Sequence, residues 1–278
     1  MTGWHGLLAR LPFEWAQYGF MHNALLAVLF VTPLFAALGM LLLSNRMAFF
    51  PDTIGHSALT GIAIGALAGL ADPTGSMLGF SALLALLVTF LRRYSAASMD
   101  TLLSIVMAST LALGLVLLSR GGGFARYSRY LIGDLLAVSP GDLTRLLGAL
   151  VFTLLVYLLF FNRLFLVSLN RPLARSRSLP VFRTEALFAM LTALVVTLSI
   201  PWVGLLVVNA LLILPVAAAR NLARTAFQYF WLSAGLSVGS GIAGLVASFY
   251  LSTAAGATIA LTASGLFALS VLARRLRA

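Results

Sequence analysis

Pro51-Asp52-Thr53-Ile54-Gly55-His56-Ser57-Ala58-Leu59-Thr60-Gly61-Ile62-Ala63-Ile64-Gly65 is an apolar, glycine-stepped run that opens with a carboxylate and an imidazole four residues apart. Residues at i and i+4 share one face of an α-helix, so a helical reading aims Asp52 and His56 at the same small object. In so apolar a setting the simplest such object is a cation. A carboxylate oxygen with a neutral imidazole nitrogen suits zinc, manganese or iron better than magnesium or calcium. Two ligands leave a site open, and a second pair from a symmetry-related copy, or waters and backbone carbonyls, has to complete it. The same residues also have a structural reading. Asp52 follows Pro51 and precedes the helix, where it would serve as an N-cap, with His56 a buried histidine that has found a partner. Ionisable side chains at membrane depth are costly and tend to mark a pathway, which weighs toward the ligand reading.

The surroundings of this stretch are those of a membrane protein. Of 278 residues 61% are hydrophobic and 9% charged, and the mean hydropathy is +1.05. Several runs exceed the roughly 20 apolar residues that cross a bilayer. The formal charge of +11 is spread between apolar spans and not gathered in one patch, the pattern of topology determinants and not of a nucleic-acid surface. There is no Cys, hence no disulfide framework and no thiolate metal site. All 18 basic residues are Arg. A Walker A motif requires Lys, so the chain is expected not to be a P-loop ATPase itself; no permanently bound cofactor is expected either.

Outward from the quoted stretch, spans are expected at about 23–43, 54–70, 76–91, 101–119, 143–162, 184–200, 202–218, 231–251 and 257–273. The expected fold is an all-α polytopic membrane protein of about nine transmembrane helices. Nine crossings put the ends on opposite sides, and an N-out, C-in orientation leaves 13 arginines inside and 5 outside. That bias favours N-out. The join near Pro201 is where two short spans, or one broken helix, are both compatible with the pattern. Residues 1–21 read as an amphipathic interfacial segment bent at Pro12, with no cleavage site of a secretory signal. Residues 22–278 read as one transmembrane domain. His5 and His22 read as interfacial polar residues. Ser57, Gly61, Gly65 and Gly69, like Gly235, Gly239, Ser240 and Gly244, form small-residue stripes along which another helix packs closely.

Two connections stand out. Residues 120–142 hold Gly121-Gly122-Gly123 and an outside basic pair, Arg126 and Arg129, suited to an acidic partner or to a headgroup-facing edge. They close with Ser139-Pro140-Gly141-Asp142, which reads as a helix start with Ser at the cap and an acid three residues on. Between Pro201 and Phe230 an apolar span is expected to turn, near Pro215, into a short Ala/Arg helix, Val216-Ala217-Ala218-Ala219-Arg220-Asn221-Leu222-Ala223-Arg224. Such a helix is either what a membrane domain offers to a cytosolic partner's groove or a headgroup-lying connector.

With these regions placed, the sequence resembles the permease subunits of the zinc/manganese/iron ABC importer family, of cobalamin-importer-like architecture. The similarity lies in Arg46-Met47-Ala48-Phe49-Phe50 leading into Asp52-Thr53 and His56-Ser57-Ala58-Leu59, in Asp100-Thr101, and in Ala112-Leu113-Gly114-Leu115. It continues through Tyr130-Leu131-Ile132-Gly133-Asp134, Val203-Gly204 to Leu214-Pro215-Val216-Ala217-Ala218-Ala219-Arg220, and Gly256-Ala257-Thr258-Ile259. The resemblance implies a homodimeric multi-pass permease of a bacterial cytoplasmic (inner) membrane, surrounded by lipid. Its implied partners are a separate ATP-binding, ATP-hydrolysing subunit and an extracytoplasmic metal-binding protein, to which Arg126 and Arg129 would be docking residues. It places Asp52 and His56 at the positions that meet the transported zinc, manganese or iron. The coupling segment then falls at about 219–230, with Ala219, Arg220, Asn221, Leu222, Ala223 and Arg224 facing the ATPase. Two departures are visible: Ser168-Leu169-Asn170-Arg171-Pro172-Leu173-Ala174-Arg175-Ser176-Arg177 is basic where such permeases are usually acidic, and Thr253-Ala254 replaces a more typical Leu-Pro. The competing functions are a permease for a metal chelate or cobalamin, a proton-coupled secondary carrier, and a non-transporting membrane scaffold.

Overall fold

A computed structural model of the protein describes residues 12–70, 72–121 and 135–277, and among them every regular element is helical. The long helices are α1 (Gly19–Ser44), α2 (Phe50–Leu67), α3 (Thr74–Tyr94), α4 (Met99–Gly121), α5 (Pro140–Leu169), α7 (Val181–Val203), α8 (Leu205–Leu222), α9 (Ala226–Leu251) and α10 (Ala255–Arg277). A short α6 (Arg171–Ser176) follows α5 directly. Eight of these helices are long and apolar enough to cross a membrane. The ninth long helix, α2, falls short of that apolarity because Pro51, Asp52, His56 and a run of Ser, Thr and Gly dilute it.

Local chemistry sets the boundaries. At α5 the Ser139 hydroxyl accepts from the Asp142 N–H (3.2 Å) while the Asp142 carboxylate accepts from the Ser139 N–H (3.1 Å), the reciprocal capping box read from the sequence. Asp72 accepts from the Thr74 N–H at 2.9 Å and starts α3. Thr225 caps α9, its hydroxyl accepting from Gln228 N–H at 3.2 Å. The C-terminus of α2 is closed by Gly69 at φ +71, with Leu70 N–H donating to Gly65 C=O and Gly69 N–H to Ala66 C=O, a Schellman motif. Gly69 is therefore a cap and no part of a packing stripe. The expected break at Pro201 falls three residues later. Pro201 lies inside α7, and Gly204, at φ +85 and ψ 150, carries the discontinuity before α8.

Two further expectations are corrected. A 3₁₀ turn at Glu14–Gln17 precedes α1, which begins at Gly19; of the segment read as interfacial, residues 1–11, His5 among them, lie outside the described residues. His22 is not interfacial but buried, 3% exposed, with Nε2 at 2.7 Å from the Ala16 carbonyl oxygen. The break expected at Pro215 is absent as well. Pro215 is buried inside a continuous α8, so the Ala/Arg stretch is the last two turns of that helix. Proline removes one N–H bond, and in a packed membrane bundle neighbouring groups make good that loss.

The chain divides into two compact units, one of Met1–Met40, Asp134–Val151 and Trp202–Ala278, the other of Leu41–Gly133 and Phe152–Pro201. In the first, α8, α9 and α10 pack on one another. Gly244 lets α9 approach the backbone of α10 at Ile259, and Gly39 lets α1 approach the Leu212 carbonyl of α8. Gly241 sits 2.6 Å, measured from an added Cβ, from Val28 Cγ1. Gly235 and Gly239, read from the sequence as part of the same stripe, have nothing within 4 Å of such a Cβ. In the second unit α2 packs on α3 and α4. A Cβ on Gly61 would fall 2.7 Å from Met77 Cα, and one on Gly114 2.7 Å from Thr60 Oγ1. Thr60 donates to the Thr110 carbonyl, and the Ser57 and Thr110 hydroxyls pair at 2.5 Å, so small residues and hydroxyls together join α2 to α4.

A prediction follows from that contrast. Gly61→Val is expected to destabilise by about 1–3 kcal/mol through overpacking against backbone atoms, read as a lower apparent Tm of the detergent-purified protein. Gly235→Ala, on an open helix face, is expected to be neutral or slightly stabilising. Equal losses at both positions would contradict the packing described.

Candidate functional site

Helix α1 ends in a tight turn with Arg46 in the left-handed region (φ +57), and Met47 N–H donates to Leu42 C=O at 2.8 Å. Helix α2 starts at Phe50, with Phe49 as its N-cap and no side-chain cap bond there. Pro51 follows at the second position and Asp52 at the third. The N-cap reading of Asp52 is thus corrected. The carboxylate stands inside the first turn, where the helix dipole favours a negative charge. Thr53 serves the turn instead, its hydroxyl donating to the Phe49 carbonyl at 2.9 Å.

From Phe50 to Ala63 every residue is buried except Asp52 and His56. Over these residues the helix therefore opens to its surroundings through this one edge, with the Asp52 side chain 33% and the His56 side chain 37% exposed. His56 Nε2 lies 3.5 Å from Asp52 Oδ1. Two ligands at bond lengths of about 2.1 Å on a tetrahedral centre stand about 3.4 Å apart, so the spacing suits a shared cation with little rearrangement. Among the described residues no group of three or more His, Asp or Glu side chains gathers anywhere. One chain thus offers an oxygen and a nitrogen to a cation, and the rest of the coordination comes from elsewhere.

The second sequence-predicted region divides by exposure. Ala219 is buried, and Asn221 is tied to α10, donating to Ser270 Oγ at 3.0 Å and accepting from Arg274 Nη1 at 3.4 Å. Arg220 and Arg224 are exposed, as is the whole run Arg224 to Gln228. The surface offered here is the corner Ala223-Arg224-Thr225 between α8 and α9, with the Phe227 and Trp231 rings beside it, 74% and 59% exposed. Phe227 falls within the expected coupling segment of about 219–230, whereas Trp231 was missed because an aromatic at the start of an apolar span reads as core. Arg126 and Arg129 lie outside the described residues. The remaining acids among the described residues have structural partners or settings: Asp72 accepts from Thr74 N–H ahead of α3, Asp142 closes the capping box of α5, Glu14 and Asp100 are exposed in first turns, and Glu185 Oε1 sits 2.8 Å from Arg171 Nε. That ion pair had no signal in the sequence beyond the two charges.

Helices of this length and apolarity, one of them interrupted by a carboxylate and an imidazole, define a multi-pass helical membrane protein with a candidate cation site. A model of the ABC 3 transport family matches residues 17–274, and the chain belongs to that family. The resemblance drawn from the sequence blocks is thereby borne out. The chain is 33% identical, over 93% of its length and 99% of the relative's, to the high-affinity zinc uptake system membrane protein ZnuB of Haemophilus influenzae. It is 30% identical to the manganese import system permease protein ScaB of Streptococcus parasanguinis, over 91% of this chain and 90% of that one. It is 27% identical to a probable iron transport system membrane protein of Haemophilus influenzae, over 95% and 99%. Among solved structures, PsaBC from Streptococcus pneumoniae in complex with Fab superposes with TM-score 0.79 at 28% identity, covering 97% of this chain and 95% of that one.

Proposed function

We propose that this chain is the membrane permease of an ATP-driven importer of divalent transition metal ions, zinc, manganese or ferrous iron, in a bacterial inner membrane. The observation that carries the reading is the Asp52–His56 pair, 3.5 Å apart on the only unburied positions of a helix stretch. Relatives named for zinc, manganese and iron transport support it. Two copies of the chain, each supplying one oxygen and one nitrogen, make a four-ligand site of the kind these metals accept. Conduction requires that the pair hold the ion weakly enough to release it, so a high-affinity cage is not expected. The arginine bias puts the α8–α9 corner on the cytoplasmic side, where a separate ATPase subunit docks on Arg220, Arg224 and their neighbours. A metal-binding protein delivers the ion from outside.

Reconstitution tests the class. Proteoliposomes holding the chain with its ATPase subunits are expected to accumulate labelled zinc or manganese only with ATP, and an uncoupler should leave that uptake intact. Uptake that survives without ATP but is lost with an uncoupler would identify a proton-coupled carrier. The placement of the acids speaks against that reading, since among the described residues only Asp52 lies within a helix stretch that is otherwise buried. In the same vesicles free zinc and manganese should compete with each other; indifference to both, with transport of a chelate, would replace the metal reading by a chelate permease.

A further inference from the structure

The second unit carries a cluster of charge that the transport reading does not use. Arg92 and Arg93 stand in the last turn of α3, Arg171 and Arg175 come from α6, and Arg183 lies at the start of α7. With Thr89, Leu179 to Phe182 and Glu185 they line an open cleft of about 620 Å³. Five guanidinium groups face one carboxylate, and that carboxylate is taken by Arg171 Nε at 2.8 Å. Arg171 Nη2 is buried and has no hydrogen-bond partner among the described residues. Arg93, Arg175 and Arg183 are exposed, with no carboxylate of the described residues in ion-pair reach.

The fold holds these cations together against their repulsion. Asn170 Oδ1 accepts from Leu173 N–H at 3.0 Å and fixes the start of α6, while Ser178 at φ +56 turns the chain back toward α7. Arg92 Nη2 donates to the Asn45 carbonyl at 3.2 Å. Such a concentration of like charge attracts a counter-anion, and planar guanidinium forks match phosphate oxygens in pairs. The apolar parts of the rim say which phosphate. Phe182 in the cleft wall and Leu173 on α6 are 39% and 43% exposed, and the cleft lies where α3 ends and α7 begins, two helices long and apolar enough to span a bilayer. A basic hollow with apolar neighbours at the ends of spans sits at headgroup level. Its volume is also far beyond that of a single inorganic phosphate.

We infer that this cleft binds the phosphate headgroup of an anionic phospholipid, which neutralises the arginines and ties α6 to the ends of α3 and α7. The inference is independent of the metal reading. To test it, the full chain is purified in detergent with its ATPase subunits and titrated with phosphatidylglycerol, phosphatidylcholine or inorganic phosphate, bound lipid being counted by native mass spectrometry. Wild type should retain phosphatidylglycerol over phosphatidylcholine, and Arg175→Gln with Arg183→Gln should weaken that retention about thirtyfold. Arg163→Gln, outside the cleft, should leave it unchanged. Equal retention of the two lipids, or no loss in the double variant, overturns the proposal. Displacement of lipid by millimolar phosphate makes the cleft a free-anion site and also overturns it. A double variant that keeps its lipid but sheds the ATPase subunit shows a protein-docking surface instead.

Discussion

Cells whose only copy of this chain carries Asp52→Ala or His56→Ala should take up labelled zinc or manganese at the background rate. The loss is expected to be roughly a hundredfold or more, because in the proposed site shared by two copies each substitution would remove two ligands, and even outer-shell changes cost about 10–100-fold. The double variant should be no worse than either single one, since half a site already fails to hold the ion. Asp52 and His56 lie on the exposed edge of a helix whose packing is carried by their buried neighbours, so the variants should still assemble. Co-purification of the ATPase subunit and an unchanged Tm check that. Normal uptake in both single variants would remove the pair from the ion's path, whatever the family.

The second large effect is at the α8–α9 corner. Arg224→Glu combined with Phe227→Asp is expected to abolish co-purification of the ATPase subunit and, with it, ATP-dependent uptake. The pair reverses a charge and places a carboxylate on a ring that is 74% exposed, and neither side chain supports the core. Truncating a few central residues of an interface commonly removes most of its affinity, about 2 kcal/mol or more for each. Proline at Ala223, the obvious helix-breaking choice if this stretch were a free-standing helix, should do far less. Ala223 is the C-cap of α8 at φ −75 and ψ 141, angles proline adopts, so the cost is confined to the last turn: its bond to the Ala219 carbonyl and strain at the helical Leu222 before it. Full loss of the complex with Ala223→Pro but not with the Arg224 and Phe227 changes would move the docking surface back into α8.

The comparison of these two regions shows what was readable. Asp52 and His56 were legible because a charged pair at helical spacing in an apolar run is a rare pattern, and spacing alone places both on one face. The span positions were legible for a similar reason, since apolar runs of this length have few other solutions. Their ends were less so: α2 starts at Phe50, earlier than the apolar pattern implies, because Pro51 fits the first turn and Thr53 bonds back to Phe49. The capping box at Ser139 and Asp142 was legible because capping is local chemistry among four residues.

Features that depend on what faces a residue were not legible. Gly61 and Gly235 look alike in sequence, yet one meets the backbone of α3 and the other open space. Pro215 reads as a helix break, and the buried bundle around it keeps α8 continuous. Arg171, Arg175, Arg92, Arg93 and Arg183 read as scattered topology charges, but the turn at Ser178 brings α6 back to the ends of α3 and α7 and gathers them round one cleft. The linear order of residues determined the class of protein, its spans and its candidate ligand pair, because hydropathy and i, i+4 spacing act over short stretches. Which glycines are contacts, which proline is harmless and where the arginines meet was decided only by the tertiary packing, since each depends on atoms contributed by distant segments of the chain.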